Sequence, residues 1–327
     1  MPPSYVDPEL LSRLTAIGVK ARQPMEGSIS GLHRSPLHGL SPEFADYRSY
    51  TPGDDLKNID WKVFGRSDRF YIKRYEEESN LRAFFVVDAS ASMMYGKPRT
   101  KFDIASTIAC GMAGALIKQR DSVGLATIST KVSQELPQSS ASSQLIRLDD
   151  MLQKTKCAGE TDLGRVVKML ADKYPRRGMV VVLSDLLTPL DTLYDSLGKL
   201  QYSGHEILIL HVLHREELEL PFKDSVIFKD IEGTEEIFAE PWAFREAYQA
   251  AMESFIGEVR TRCQYAGIDY LQILTDENLG VKLSHFLHAR QLSGPTRHRG
   301  RMSGMGRAEE SSPSPSGPPD TPGKPAG

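Results

Sequence analysis

Arg82-Ala83-Phe84-Phe85-Val86-Val87-Asp88-Ala89-Ser90-Ala91-Ser92 decides the fold. The unbroken apolar run Ala83 to Val87, closed by Asp88, reads as a strand covered on both faces. A turn rich in small and hydroxyl residues follows. Lys101 to Lys118 then places Phe102, Ala105, Ala109, Met112 and Leu116 on one helical stripe. Strand, turn and helix in that order open a wound α/β unit.

The alternation continues in both directions. The pattern predicts strands at 121–129, 131–136, 179–184, 206–213, 225–231 and 268–273. It predicts helices at 143–154, 162–173, 189–200, 241–266 and 279–292. In the long helix, Phe244, Tyr248, Met252, Phe255 and Val259 are expected on one face. Upstream, 8–23 reads as a helix with Asp7-Pro8 at its start, and 69–75 as an alternating strand. Residues 24–68 read mostly as loop, tacked down by aromatics that include a buried Trp61. The fold class expected is α/β: a doubly wound, Rossmann-like, mostly parallel sheet.

Composition bounds the rest. The 327 residues carry 40 basic and 43 acidic side chains, a net charge of −3, which does not favour nucleic acid as a partner. The three cysteines, Cys110, Cys157 and Cys263, lie far apart, which argues against a disulfide framework or a cysteine zinc site. No apolar run approaches the ~20 residues of a membrane span, and no export signal is visible, so a cytoplasmic location is expected. Residues 293–327 hold 7 of the 20 prolines and 7 of the 26 glycines and no Leu, Ile, Val, Phe, Tyr or Trp, which reads as a disordered tail. The organisation expected is an extension over 1–80, a wound domain over 81–292 and a tail over 293–327.

In doubly wound sheets, ligands sit beyond the carboxyl ends of the strands. Three segments stand there: Asp88-Ala89-Ser90-Ala91-Ser92, Ala158-Gly159-Glu160-Thr161-Asp162 and Ser184-Asp185-Leu186. Any one alone reads as a turn or a helix cap. Together they assemble two carboxylates and three hydroxyls, an all-oxygen set suited to a hard divalent cation, Mg²⁺ before Zn²⁺. With few charged ligands, the cation would seek one more anionic donor.

Asp88-x-Ser90-x-Ser92, Thr161 and Asp185 resemble the metal-ion-dependent adhesion site of von Willebrand factor A domains. That resemblance implies Ser90 and Ser92 as direct ligands, Thr161 direct or through water, and Asp88 and Asp185 through water or hydrogen bonds. Mn²⁺ or Ca²⁺ would serve in place of Mg²⁺, and a partner's carboxylate would complete the shell. A second resemblance rests on residues 34–44 (RSPLHGLSPEF), 46–55 (DYRSYTPGDD) and Ile59-Asp60-Trp61-Lys62. These are similar to the bacterial DUF58 family, in which such a segment precedes a von Willebrand A-like domain. This resemblance implies a MoxR-type AAA+ ATPase as partner, in protein assembly or maturation.

No GxxxxGK[ST], HExxH or GxSxG motif is present, and the von Willebrand A resemblance implies a non-enzymatic, metal-dependent interaction module. The competing expectation is a Mg²⁺-dependent phosphohydrolase using Asp88 in the same crevice. Against it, haloacid dehalogenase-like enzymes want a second aspartate two positions on, where this chain has Ser90. Acidic residues are frequent between Glu216 and Glu240, and the default reading there is a solvated face.

Overall fold

A computed structural model describes residues 4–22, 43–51, 59–76, 81–229 and 236–293. In chain order the elements are α1 (Pro8–Ile17), β1 (Glu43–Ser49), α2 (Trp61–Ser67), β2 (Tyr71–Glu76), β3 (Arg82–Asp88), α3 (Lys101–Lys118), β4 (Ser122–Ile128) and β5 (Val132–Ser139). There follow α4 (Gln144–Lys154), α5 (Leu163–Lys173), β6 (Met179–Ser184), α6 (Leu190–Tyr202), β7 (Glu206–Leu213) and α7 (Arg215–Glu219). The chain closes with β8 (Val226–Lys229), β9 (Glu236–Ala239), α8 (Pro241–Ala266), β10 (Asp269–Leu274) and α9 (Leu279–Leu292).

The apolar runs pair as expected. Six strands form one sheet in the order β10-β7-β6-β3-β4-β5, parallel except for the antiparallel edge pair β4–β5. Alternation along each strand splits the core in two. Phe85, Val87, Val181, Leu183, Leu208 and Leu210 face one layer, where Leu10 and Leu14 of α1 pack with α3, α4 and α9. Phe84, Val86, Val180, Val182, Ile207 and Ile209 face the other, with α5, α6 and the end of α8. This is the expected doubly wound α/β sheet, with helices on both faces.

Strand order reverses between β3 and β6. Chain continuity takes β3 to β4 on one side and β6 to β7 on the other. A crevice opens at such a reversal beyond the strands' carboxyl ends, because the connecting loops diverge there. Asp88 and Asp185 end β3 and follow β6, so both stand at it.

Several expectations are corrected. α1 ends at Ile17 rather than 23, because Gly18 takes φ +75° and closes the helix. The stretch expected to be mostly loop contains β1, paired antiparallel with β2, and α2, which Asp60 caps through the backbone N–H groups of Lys62 and Val63. That helix turns Trp61 outward, 61% exposed, rather than burying it. Its ring instead meets Phe64 and Phe70 edge-on. The strand expected at 225–231 is described over Val226–Lys229 and lies outside the main sheet, since β8 pairs with β9 in a separate two-stranded sheet. In α8 only Val259 of the expected stripe is buried, and Phe244 is exposed. The 26-residue helix is roughly 39 Å long at 1.5 Å per residue, longer than the six- to eight-residue strands it covers.

The motif residues 34–42 and 52–55, and the tail from 294, lie outside the described residues. Among the described residues no helix is long and apolar enough to cross a membrane.

Candidate metal centre

Asp88 is held from two strands. In the parallel pair β3–β6, Val87 stands beside Leu183, which sets Asp88 next to Ser184. The Ser184 hydroxyl donates to Asp88 Oδ2 at 2.6 Å, and the Ser90 N–H donates to Oδ1 at 2.9 Å. Both carboxylate oxygens are thereby engaged, and the side chain has no exposed surface. Burial, followed by the charge of Asp185, pushes the Asp88 pKa up to about 6, against the lowering effect of these donors.

Beyond Asp88 the chain makes a short 3-10 turn at Ala91–Met94. It brings the Ser90 and Ser92 hydroxyl oxygens to 3.1 Å, where they hydrogen-bond to each other. Two oxygens on adjacent corners of an octahedron with bonds near 2.1 Å are ~3.0 Å apart, so this separation suits one shared Mg²⁺-sized ion.

Thr161 reaches the same end of the sheet through its loop. Ala158 N–H donates to Ala89 O at 3.0 Å, Ala91 N–H to Gly159 O at 2.9 Å, and Asp162 N–H to Ser129 O at 3.1 Å. The loop turns at Gly159, with φ +72°. The Thr161 hydroxyl is sealed from solvent and has no hydrogen-bond partner. Such an orphan is costly unless a ligand supplies the missing contact.

Asp185, expected to support the ion through water or hydrogen bonds, pairs with a lysine. Its Oδ2 lies 2.8 Å from Lys101 Nζ, both side chains fully buried, and its Oδ1 accepts from Leu187 N–H at 3.3 Å. Lys101 Nζ also lies 2.6 Å from Glu217 Oε1. Burial pulls the Lys101 pKa down, but Asp185 and Glu217 outweigh it and leave the ammonium raised. The next residue, Leu186, is fully buried with φ +57°, left-handed backbone that a leucine adopts only under constraint. His211 Nε2 meets Asp185 O at 2.8 Å, and burial pushes the imidazole pKa down to about 4.

The structure thus joins Asp88, Ser90 and Ser92 directly and anchors the Thr161 loop to their turn. It gives Asp185 to a lysine. Among the described residues no three His, Cys, Asp or Glu side chains converge to hold a metal. A cation here would rest on hydroxyls, with Asp88 behind them.

The sequence profile described as "Protein of unknown function DUF58" matches residues 46–255. This chain belongs to the DUF58 family. An uncharacterised protein of Mycobacterium tuberculosis is 24% identical over 315 residues, covering 91% of this DUF58 chain and 96% of the relative. One from Mycobacterium avium is 28% identical over 131 residues, covering 40% of this chain and 76% of the relative. Among solved structures, the conserved hypothetical protein BatB of Bacteroides thetaiotaomicron aligns with TM-score 0.43 and 15% identity, over 65% of this chain and all (100%) of that one. The SpRpn10 VWA domain aligns with TM-score 0.34 and 12% identity, over 64% of this chain and 94% of that one.

In this DUF58 protein, sequence reading found the five candidate ligands but not Lys101, Ser184 or Glu217. Lys101 did carry a signal. It begins the stripe continued by Ala105, Ile108 and Met112, all buried, so a cation stood on an apolar face.

Proposed function

We propose that this DUF58 protein is a protein-interaction module whose contact with its partner runs through a divalent cation, Mg²⁺ before Mn²⁺ or Ca²⁺. Ser90, Ser92 and Thr161 would hold the ion, with Asp88 orienting the serine turn and Asp185 more remote. One observation carries this reading: two hydroxyls 3.1 Å apart beside a fully buried aspartate at the strand-order reversal. The sealed, unpartnered Thr161 hydroxyl supports it. Hydroxyl donors add no charge, so the bound ion stays electropositive and attracts an anionic ligand. A partner's carboxylate supplies one. The family resemblance, rather than the geometry, suggests a MoxR-type AAA+ ATPase as that partner, in assembly or maturation of other proteins.

The phosphohydrolase reading finds less support. A phosphoryl acceptor needs an accessible carboxylate oxygen, whereas both Asp88 oxygens are taken up by Ser90 and Ser184.

Calorimetric titration of Mg²⁺ into the wild type and Ser90→Ala/Ser92→Ala tests the proposal. Saturable binding that weakens roughly tenfold or more in the variant is expected, about 1.4 kcal/mol. Equal affinities would overturn the site. Turnover of a generic phosphoester with Mg²⁺, abolished by Asp88→Asn, would favour the enzyme instead.

A further inference from the structure

Lys101 opens α3, and its ammonium has no exposed surface. A buried lysine is rarely retained without paired charges. Here it has two, Asp185 Oδ2 at 2.8 Å and Glu217 Oε1 at 2.6 Å, from different elements. Glu217 sits in α7, where its Oε2 accepts from His214 N–H at 2.8 Å and its carbonyl accepts from the Tyr248 hydroxyl at 2.8 Å. One ammonium therefore ties the end of β6, the start of α3 and the segment after β7. These are the elements around the crevice mouth. The positive end of the α3 dipole points the same way.

We propose that Lys101 is the internal counter-cation of this crevice: it holds Asp185 and α7 in place without a metal, and its charge keeps divalent-cation affinity low until a partner's carboxylate joins the shell. This rests on the metal-site reading above. The argument is electrostatic. A fixed positive charge on Asp185 opposes a second cation at the same carboxylate cluster, while the remaining donors, Ser90, Ser92 and Thr161, bring no charge to compensate. Lys101 offsets the charge of Asp185, and both oxygens of Asp88 are already engaged by Ser184 and Ser90. The crevice is thus assembled before a metal arrives, and occupancy is decided by what the partner contributes.

Titration of Mg²⁺ and of Mn²⁺ into the wild type, Lys101→Met and Glu217→Gln, with thermal melts in EDTA and in millimolar Mg²⁺, tests this. Lys101→Met should melt lower in EDTA, recover part of the loss with Mg²⁺, and bind the ion roughly tenfold or more tightly than the wild type. The wild type should gain less in melting temperature from Mg²⁺ than Lys101→Met does. Glu217→Gln should shift affinity the other way, roughly threefold weaker, because the ammonium loses one counter-charge. A Lys101→Met protein with unchanged or weaker affinity overturns the proposal, as does a Glu217→Gln protein that binds as well as or better than the wild type. Where Lys101→Met does not fold in EDTA, recovery of its fold on adding Mg²⁺ supports the proposal, and no recovery contradicts it.

Ser90→Ala/Ser92→Ala in the Lys101→Met background separates the two claims. Tight binding that survives loss of both serines means the ion sits elsewhere, and the metal-site reading fails. Serine-dependent binding that Lys101→Met leaves unchanged removes the counter-cation alone.

Discussion

The two ends of the sheet each bury a charge network, and they differ in balance. At the amino ends of β7 and β10, Arg290 is 2% exposed and meets Glu206 Oε2 and Asp269 Oδ2, each at 2.7 Å. Arg22 adds a second cation on Asp269 Oδ1 at 2.8 Å. Two guanidinium groups face two carboxylates, and Arg290 also donates to Lys20 O, so the cluster closes the N-terminal segment onto α9. At the carboxyl ends, one ammonium faces Asp185 and Glu217, with a third carboxylate, Asp88, buried nearby. Negative charge is in excess there, the hydroxyls of Thr127, Thr161 and Thr188 are buried without partners, and Leu186 is left-handed. A balanced network is a staple. An unbalanced one is where a ligand changes the energy most.

The largest expected effect breaks the staple. Arg290→Met leaves Glu206 and Asp269 without their shared cation and should cost about 3–5 kcal/mol in chemical denaturation. Mg²⁺ affinity should not change, because the site is at the other end. A loss below ~1 kcal/mol would mean that this end is no more structural than the other.

Next comes Thr161→Val, whose two effects have opposite signs. It removes an unsatisfied buried hydroxyl, so metal-free stability should hold or rise by up to ~1 kcal/mol. Mg²⁺ affinity should fall roughly tenfold, about 1.4 kcal/mol. Equal stability loss in EDTA and in Mg²⁺ would make Thr161 a packing residue.

Three buried groups make stability depend on pH: His211 and Asp88 at the carboxyl end, with opposite signs, and His205 at the amino end. His205 is buried beside Glu206, its Nε2 meets Tyr174 O at 2.9 Å, and its Nδ1 has no partner. Burial lowers its pKa. The fold thus resists protonation, whereas the unfolded chain takes up a proton below about pH 6.5. Stability should fall as pH drops through ~6.5 towards the lower folded value, and His205→Phe should flatten that slope. An unchanged slope in urea titrations at several pH values would remove His205 as its source. Smallest is Trp61→Ala. With the ring mostly exposed, unfolding stability should move by no more than about 0.5 kcal/mol.

What the sequence made legible follows the same contrast. The bounds of β3, β6, β7, α3, α8 and α9 coincide with the expected ranges, because continuous apolar runs and capped helices write their own ends. β1, α2, α7 and β9 were not foreseen. Each is short, and each is fixed by pairing or capping rather than by periodicity. In the site, Asp88, Ser90, Ser92 and Asp185 are legible because they end apolar strands at the strand-order reversal. The pairing of Lys101 with Asp185 spans 84 positions and depends on α3 docking over β6. Local sequence carries only the hint of a lysine on an apolar stripe.

The central claim is that the carboxyl-end crevice holds a divalent cation on hydroxyls. Crystals grown with Mn²⁺ and measured for anomalous scattering test it most directly. The account predicts one peak within roughly 2.0–2.3 Å of the Ser90 and Ser92 hydroxyls, with Lys101 still on Asp185. A peak coordinated by Asp185 with the lysine displaced, or no peak at the serines at saturating Mn²⁺, would contradict it.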